Sequence, residues 1–116
     1  TGISATNAVG CFPLGMGPHR SEEMSGNVWE WTSSQMKTYP YTPDDGRERM
    51  DGGIDVRRVL RGGSFYLDVR FVRCAARDGD NPNVLNGDLG FRVVLSPFPL
   101  DSESLCDPFV RNEAVR

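Results

Sequence analysis

From Arg61 to Val94 the chain reads RGGSFYLDVRFVRCAARDGDNPNVLNGDLGFRVV. Three tight blocks, RGGS, RCAAR and GFRVV, enclose two stretches, FYLDVRFV and DGDNPNVLNGDL, that follow neither a helical nor a strand period. A chain punctuated this way does not fold as packed helices or as a regular sandwich. It predicts short strands set in long loops, and loops of that length inside one domain are functional or disordered.

The rest of the chain agrees. Residues 1–24, with TNAVGCFPLGMGPHR, carry Gly and Pro too often for a helix and read as an irregular lead-in with one short strand. Met24–Ser34 (MSGNVWEWTSS) places the turn formers Gly26 and Asn27 before the strand formers Val28, Trp29 and Trp31. Thr38–Asp55 is polar and rich in Pro, Gly and Asp, as a surface loop would be. Val56–Phe65 restarts as a strand, broken at Gly62–Gly63, and Val72–Ala76 and Phe91–Leu95 read as two further strands. A polar tail with a short turn of helix follows Pro97.

The 116 residues suffice for one domain with a modest core, and the start at Thr1 fits a fragment or a processed chain. A net charge of −3 gives no broad positive field for nucleic acid. No apolar run approaches the roughly 20 residues of a membrane span, and no signal sequence is visible, although one could have been removed. The compartment stays open, with a lean to the cytoplasm. Cys11, Cys74 and Cys106 lack a Cys-x-x-Cys spacing, which argues against zinc. One disulfide with a free thiol and three reduced, mostly buried thiols are both open, the second favoured. Lys37 is the only lysine. The arginines suit fixed, bidentate pairing between loops, and Arg73, Arg77 and Arg92 are read as internal struts. In the WEW run, Trp29 and Trp31 share one face and Glu30 takes the other.

MSGNVWEW, RVLRGGS, RCAAR and GFRV, in that order, resemble the formylglycine-generating enzyme (sulfatase-modifying factor) family over roughly residues 7–96. The resemblance implies an α+β, loop-rich, C-type-lectin-like fold with short twisted antiparallel sheets, residues 1–116 being the C-terminal part of one such domain. It also implies a calcium ion around the GNxWEW segment, here at Glu23, Gly26, Val28 and Glu30, although Glu23 stands where the family has asparagine. Carboxylate and carbonyl oxygens suit calcium. Glu30 paired with an arginine is the other reading.

The family's oxidase binds copper through a cysteine pair between the RGGS and RCAAR blocks. Here that interval, Phe65–Val72, has no cysteine, while Cys74 matches a structural cysteine of the family. His19, the only histidine, lies in a Gly/Pro loop and is not expected to be catalytic. Asp44–Asp45 and Glu22–Glu23 read as hydrated surface. The chain is therefore expected to be non-enzymatic and to require no cofactor.

Between Ser64 and Leu89 there is no Lys, Glu, Gln, Met or Trp, the residues that a codon ending in a pyrimidine cannot encode. The layout resembles the variable protein of a diversity-generating retroelement. That resemblance implies a ligand-binding region over about residues 64–89, displaying Phe65, Tyr66, Leu67, Asp68, Arg70, Phe71, Asp78, Asp80, Val84, Leu85, Gly87 and Asp88 on a stiff frame. Aromatic contact area beside small adaptable residues is the logic of an antibody loop. The expected partner is a macromolecule, most simply a protein, together with the rest of the domain if the chain is a fragment. The alternative is a formylglycine-generating-enzyme-like domain of an oxidase, or of a non-haem iron sulfoxide synthase whose metal ligands lie on another domain.

Overall fold

The computed structural model describes residues 3–95. After a single turn of 3-10 helix at Pro13–Gly15 come four strands: β1 (Trp29–Gln35), β2 (Arg58–Arg61), β3 (Arg77–Asp80) and β4 (Leu89–Gly90). They form one mixed sheet in the order β3-β2-β1-β4. β2 runs antiparallel to both β1 and β3, and β4 runs parallel to β1.

β2 is the spine of the sheet. Val59 and Leu60 point to opposite faces of it, and both are buried. With Ala76 they are the buried apolar side chains among the described residues. Val59 and Leu60 each contribute on the order of 1.5–3 kcal/mol. So small a core leaves much of the fixing to hydrogen bonds between loops.

β1 pairs Glu30 with Arg61 and Trp31 with Leu60, then slips before Gln35 meets Arg58. The irregularity is capped by Thr32, whose hydroxyl donates to the Val59 carbonyl at 3.1 Å. Beyond it, Gln35 and Met36 donate their N–H groups to the carbonyls of Arg47 and Arg57. The long 38–55 segment is thus stitched to the sheet. It is not all surface, because Arg47 is buried at its centre, bound to Asp45 and to the carbonyls of Thr38 and Pro40.

The expected strand at Val72–Ala76 is instead a pair of turns, closed by Phe71 N–H on Asp68 and Ala76 N–H on Arg73. The strand falls on Arg77–Asp80, a sequence of poor strand propensity. Tertiary context overrides propensity: all four residues pair with β2, and Arg57 donates to the Gly79 carbonyl. Phe91–Leu95 is exposed and extends past β4 without joining a strand. The lead-in contains the 3-10 turn and no strand among its described residues. The polar tail and Cys106 lie outside the described residues.

The RGGS block makes a turn that only glycine tolerates. Gly62 and Gly63 have φ of 89° and 76°, in the left-handed region. A Cβ on Gly63 would press on the Phe71 carbonyl and come within 2.8 Å of the Val72 Cα. The first insert therefore folds straight back onto the block that launches it.

Of the three expected struts, two span the fold. Arg92 binds Glu30 and the carbonyls of Glu22 and Glu23. Arg77 donates to the Lys37 carbonyl and stacks on the Tyr39 ring at 4.8 Å. Arg73 is exposed and, among the described residues, reaches only Arg70, three residues away, which is no strut between distant segments. Among the described residues Cys11 and Cys74 form no disulfide, and both are exposed rather than buried as expected.

Candidate functional site

Asn27 ties three segments together. It adopts a left-handed turn with φ of 64°, a region Asn visits more readily than most residues. Its side chain exchanges two hydrogen bonds with the backbone of Asn7, at 3.1 and 3.2 Å. Its carbonyl accepts the Phe65 N–H at 3.0 Å, while Gly26 N–H donates to the Gly62 carbonyl at 2.8 Å. The lead-in, the GNVWEW turn and the RGGS turn meet here.

Between them lies a cleft of about 600 Å³, within the usual range for a small-molecule site. Phe12, Met24, Phe65, Leu67, Val69 and Val72 supply apolar walls, and Glu23, Ser25, Asn27 and Ser64 supply polar atoms. Ser64 is fully buried, and its hydroxyl has no hydrogen-bond partner in the fold. A buried, unpartnered polar group costs about 1–3 kcal/mol, and with Ser64 at 0% exposure a ligand atom reaches the hydroxyl only if the cleft wall shifts. Cys74 stands nearby in the bonding network, its Sγ 3.3 Å from Ser25 Oγ.

The twelve residues proposed for display do not form one class. Phe65 and Leu67 are half-buried in the cleft wall. Tyr66 stacks on Phe65 with ring centroids 4.3 Å apart and is exposed, as are Phe71, Leu85 and Gly87. Asp68 and Arg70 are exposed and pair with each other. The Asp68 carboxyl is held below its usual range first by the Arg70 backbone N–H, then by its guanidinium. Asp78 and Asp80 belong to β3, where their carboxylates accept the N–H groups of Gly79 and Asn81. Val84 and Asp88 are half-buried, and the Asp88 carbonyl accepts the Trp29 N–H. None of the residues from Asp78 onward lines the cleft.

Among the proposed calcium ligands, Glu30 directs both carboxylate oxygens at Arg92, whose guanidinium also takes the Glu23 carbonyl. The hydrogen bond that Arg92 donates to Glu30 raises the already high pKa of Arg92, so the guanidinium stays charged. His19 lies in an exposed turn, away from the cleft lining. Among the described residues no group of three or more His, Cys, Asp or Glu is gathered as metal ligands. No described helix is long and apolar enough to cross a membrane.

The cleft residues missed from sequence are those of the lead-in and the turn: Asn7, Phe12, Ser25 and Asn27. The one available signal was Gly26–Asn27, a dipeptide suited to left-handed backbone.

The residue profile of the sulfatase-modifying factor enzyme 1-like domain, FGE-sulfatase, matches residues 2–97. Hercynine oxygenase of Mycolicibacterium thermoresistibile is 38% identical over 80 residues, covering 64% of the chain and 18% of that protein. Formylglycine-generating enzyme of Streptomyces coelicolor is 37% identical over 73 residues, covering 60% of the chain and 23% of the enzyme. The enzyme of the same name from Mus musculus is 33% identical over 110 residues, covering 84% and 26%. The chain spans about a fifth to a quarter of the length of these relatives. They are named as enzymes, which overturns the non-enzymatic display protein expected from the missing cysteine pair and the codon alphabet.

Proposed function

Because the chain belongs to the family of the sulfatase-modifying factor enzyme 1-like domain, we propose that it is the C-terminal part of such a domain in an oxygenase of the hercynine-oxygenase type, with a C-type-lectin-like architecture for the whole domain. The role proposed for this part is to hold the substrate.

The observation that carries the reading is the cleft at Ser64. Its walls are apolar, its one fully buried hydroxyl is unpartnered, and it is closed by three segments distant in sequence. A concave, mostly apolar site of this kind orients a small molecule through few polar contacts. The lining does not fit a resident metal. The stretch Phe65–Val72 contains no cysteine for copper, and the described residues gather no alternative set. Iron held by another part of the protein would supply oxygen activation. Calcium at Glu23, Gly26, Val28 and Glu30 meets the same difficulty, since the oxygens of Glu30 and the Glu23 carbonyl already answer a guanidinium.

The test is oxygen consumption by the intact protein supplied with ferrous iron, hercynine and a low-molecular-weight thiol. Consumption dependent on all three supports the reading. Copper-dependent conversion of a sulfatase-peptide cysteine to an aldehyde would replace it with the formylglycine-generating activity.

A further inference from the structure

On the sheet, Arg61 of β2 stands directly opposite Arg77 of β3. Like charges in that position repel and normally cost stability. Neither guanidinium has a carboxylate partner among the described residues, where every other ion pair is accounted for by different arginines or by Lys37. Arg61 donates one N–H to the Ala75 carbonyl at 3.2 Å, and Arg77 one to the Lys37 carbonyl. Each guanidinium carries five N–H donors, so most of them remain uncommitted to protein acceptors.

Both arginines line a second cavity of about 210 Å³. Thr32 and Val59 contribute to its lining from β1 and β2, and Tyr39 and Tyr41 flank it. The Tyr39 ring lies 4.8 Å from the Arg77 guanidinium carbon and limits where that fork points. The neighbouring carboxylates are spent. Asp45 is on the buried Arg47, Glu30 is on Arg92, and Glu48 accepts from Ser34 and, more weakly, from Tyr41.

We propose that this cavity binds a small monoanionic carboxylate across Arg61 and Arg77, at a site separate from the cleft at Ser64. Two facing forks match the two oxygens of a planar carboxylate, which removes the like-charge penalty. The balance favours one negative charge over two, because Glu48 stands beside the cavity on Ser34 and would repel a dianion. The volume equals roughly seven waters, room for a carboxylate with a short apolar tail against Val59 and the two rings. The inference does not depend on the oxygenase reading, since binding is measured without turnover.

The experiment is calorimetric titration of the intact protein with butyrate, acetate, inorganic phosphate and chloride, each at the same ionic strength. Saturable binding of butyrate is expected, with acetate weaker and chloride giving none. Arg61→Gln should weaken butyrate about tenfold or more, the loss of one charged hydrogen-bonding partner. Arg77→Lys keeps the charge, removes the fork and should weaken it too, which covers the case where the first variant fails to fold. Arg70→Gln, on an exposed loop away from the cavity, should bind as wild type does. Absence of saturation, an equal response to chloride, unchanged binding in Arg61→Gln, or phosphate binding tighter than butyrate would each overturn the proposal.

Discussion

Arg92 grips Glu30 from 62 residues away in the chain, its Nε 2.6 Å from a carboxylate oxygen, and the same guanidinium takes the carbonyls of Glu22 and Glu23. One side chain thus fixes the last described segment to β1 and to the turn that opens the cleft. Arg92→Ala should destabilise the protein by about 2 kcal/mol, discounted for partial exposure, and Arg92→Lys should recover little because a compact ammonium cannot reproduce the planar fork that spans the Glu30 carboxylate and two carbonyls. Chemical denaturation of the three proteins checks this.

Arg77→Ala should cost clearly more than Arg73→Ala. The first loses a bond across 40 residues and a ring contact, while the second loses one exposed local bond. Exposed substitutions usually stay within about 0.5 kcal/mol. Equal losses would contradict the different roles given to the two arginines.

Gly63→Ala forces a Cβ into a backbone with φ of 76° and against Phe71 and Val72. Strain of about 1–2 kcal/mol adds to overpacking of about 1–3 kcal/mol. Gly87→Ala, where a Cβ meets nothing within 4 Å, is the control and should change little. Thermal melts of both variants decide it.

Asp45 gives a pH dependence. The hydrogen bond from Arg47 lowers its pKa from 3.8 to about 2. A depressed carboxylate binds fewer protons folded than unfolded. Its contribution is therefore full above about pH 4 and is lost as pH falls towards 2. The melting-temperature gap between wild type and Asp45→Asn should be constant from pH 7 to 5 and close between 4 and 2.

Much of this frame was legible because it obeys local rules. Trp29, Trp31 and the RVLR run have strand composition, Gly62–Gly63 demands a turn, and Arg92 had the chemistry of a strut beside Glu30. What was not legible depends on distant partners. Arg77–Asp80 becomes a strand because β2 is there to pair with it, and Arg47 is buried because Asp45 and two carbonyls surround it. The cleft joins residues as far apart as Asn7 and Val72, and only the fold brings them together. The missing residue types between Ser64 and Leu89 misled for a physical reason. Turns select Gly, Asn, Asp and Pro for their backbone preferences, which accounts for the composition of Asp78–Asp88 though not for that of Phe65–Val72.

The most direct test of the account is Ser64→Ala in the intact protein, read as kcat/KM and melting temperature together. Ser64 Oγ has no partner in the fold, so its removal should leave the melting temperature unchanged or slightly raised. If that hydroxyl serves a substrate in the cleft, kcat/KM for oxygen-dependent turnover should fall about tenfold or more. Unchanged turnover, or a protein that melts several degrees lower at the same activity per folded molecule, would show that the cleft at Ser64 is packing and not the active site.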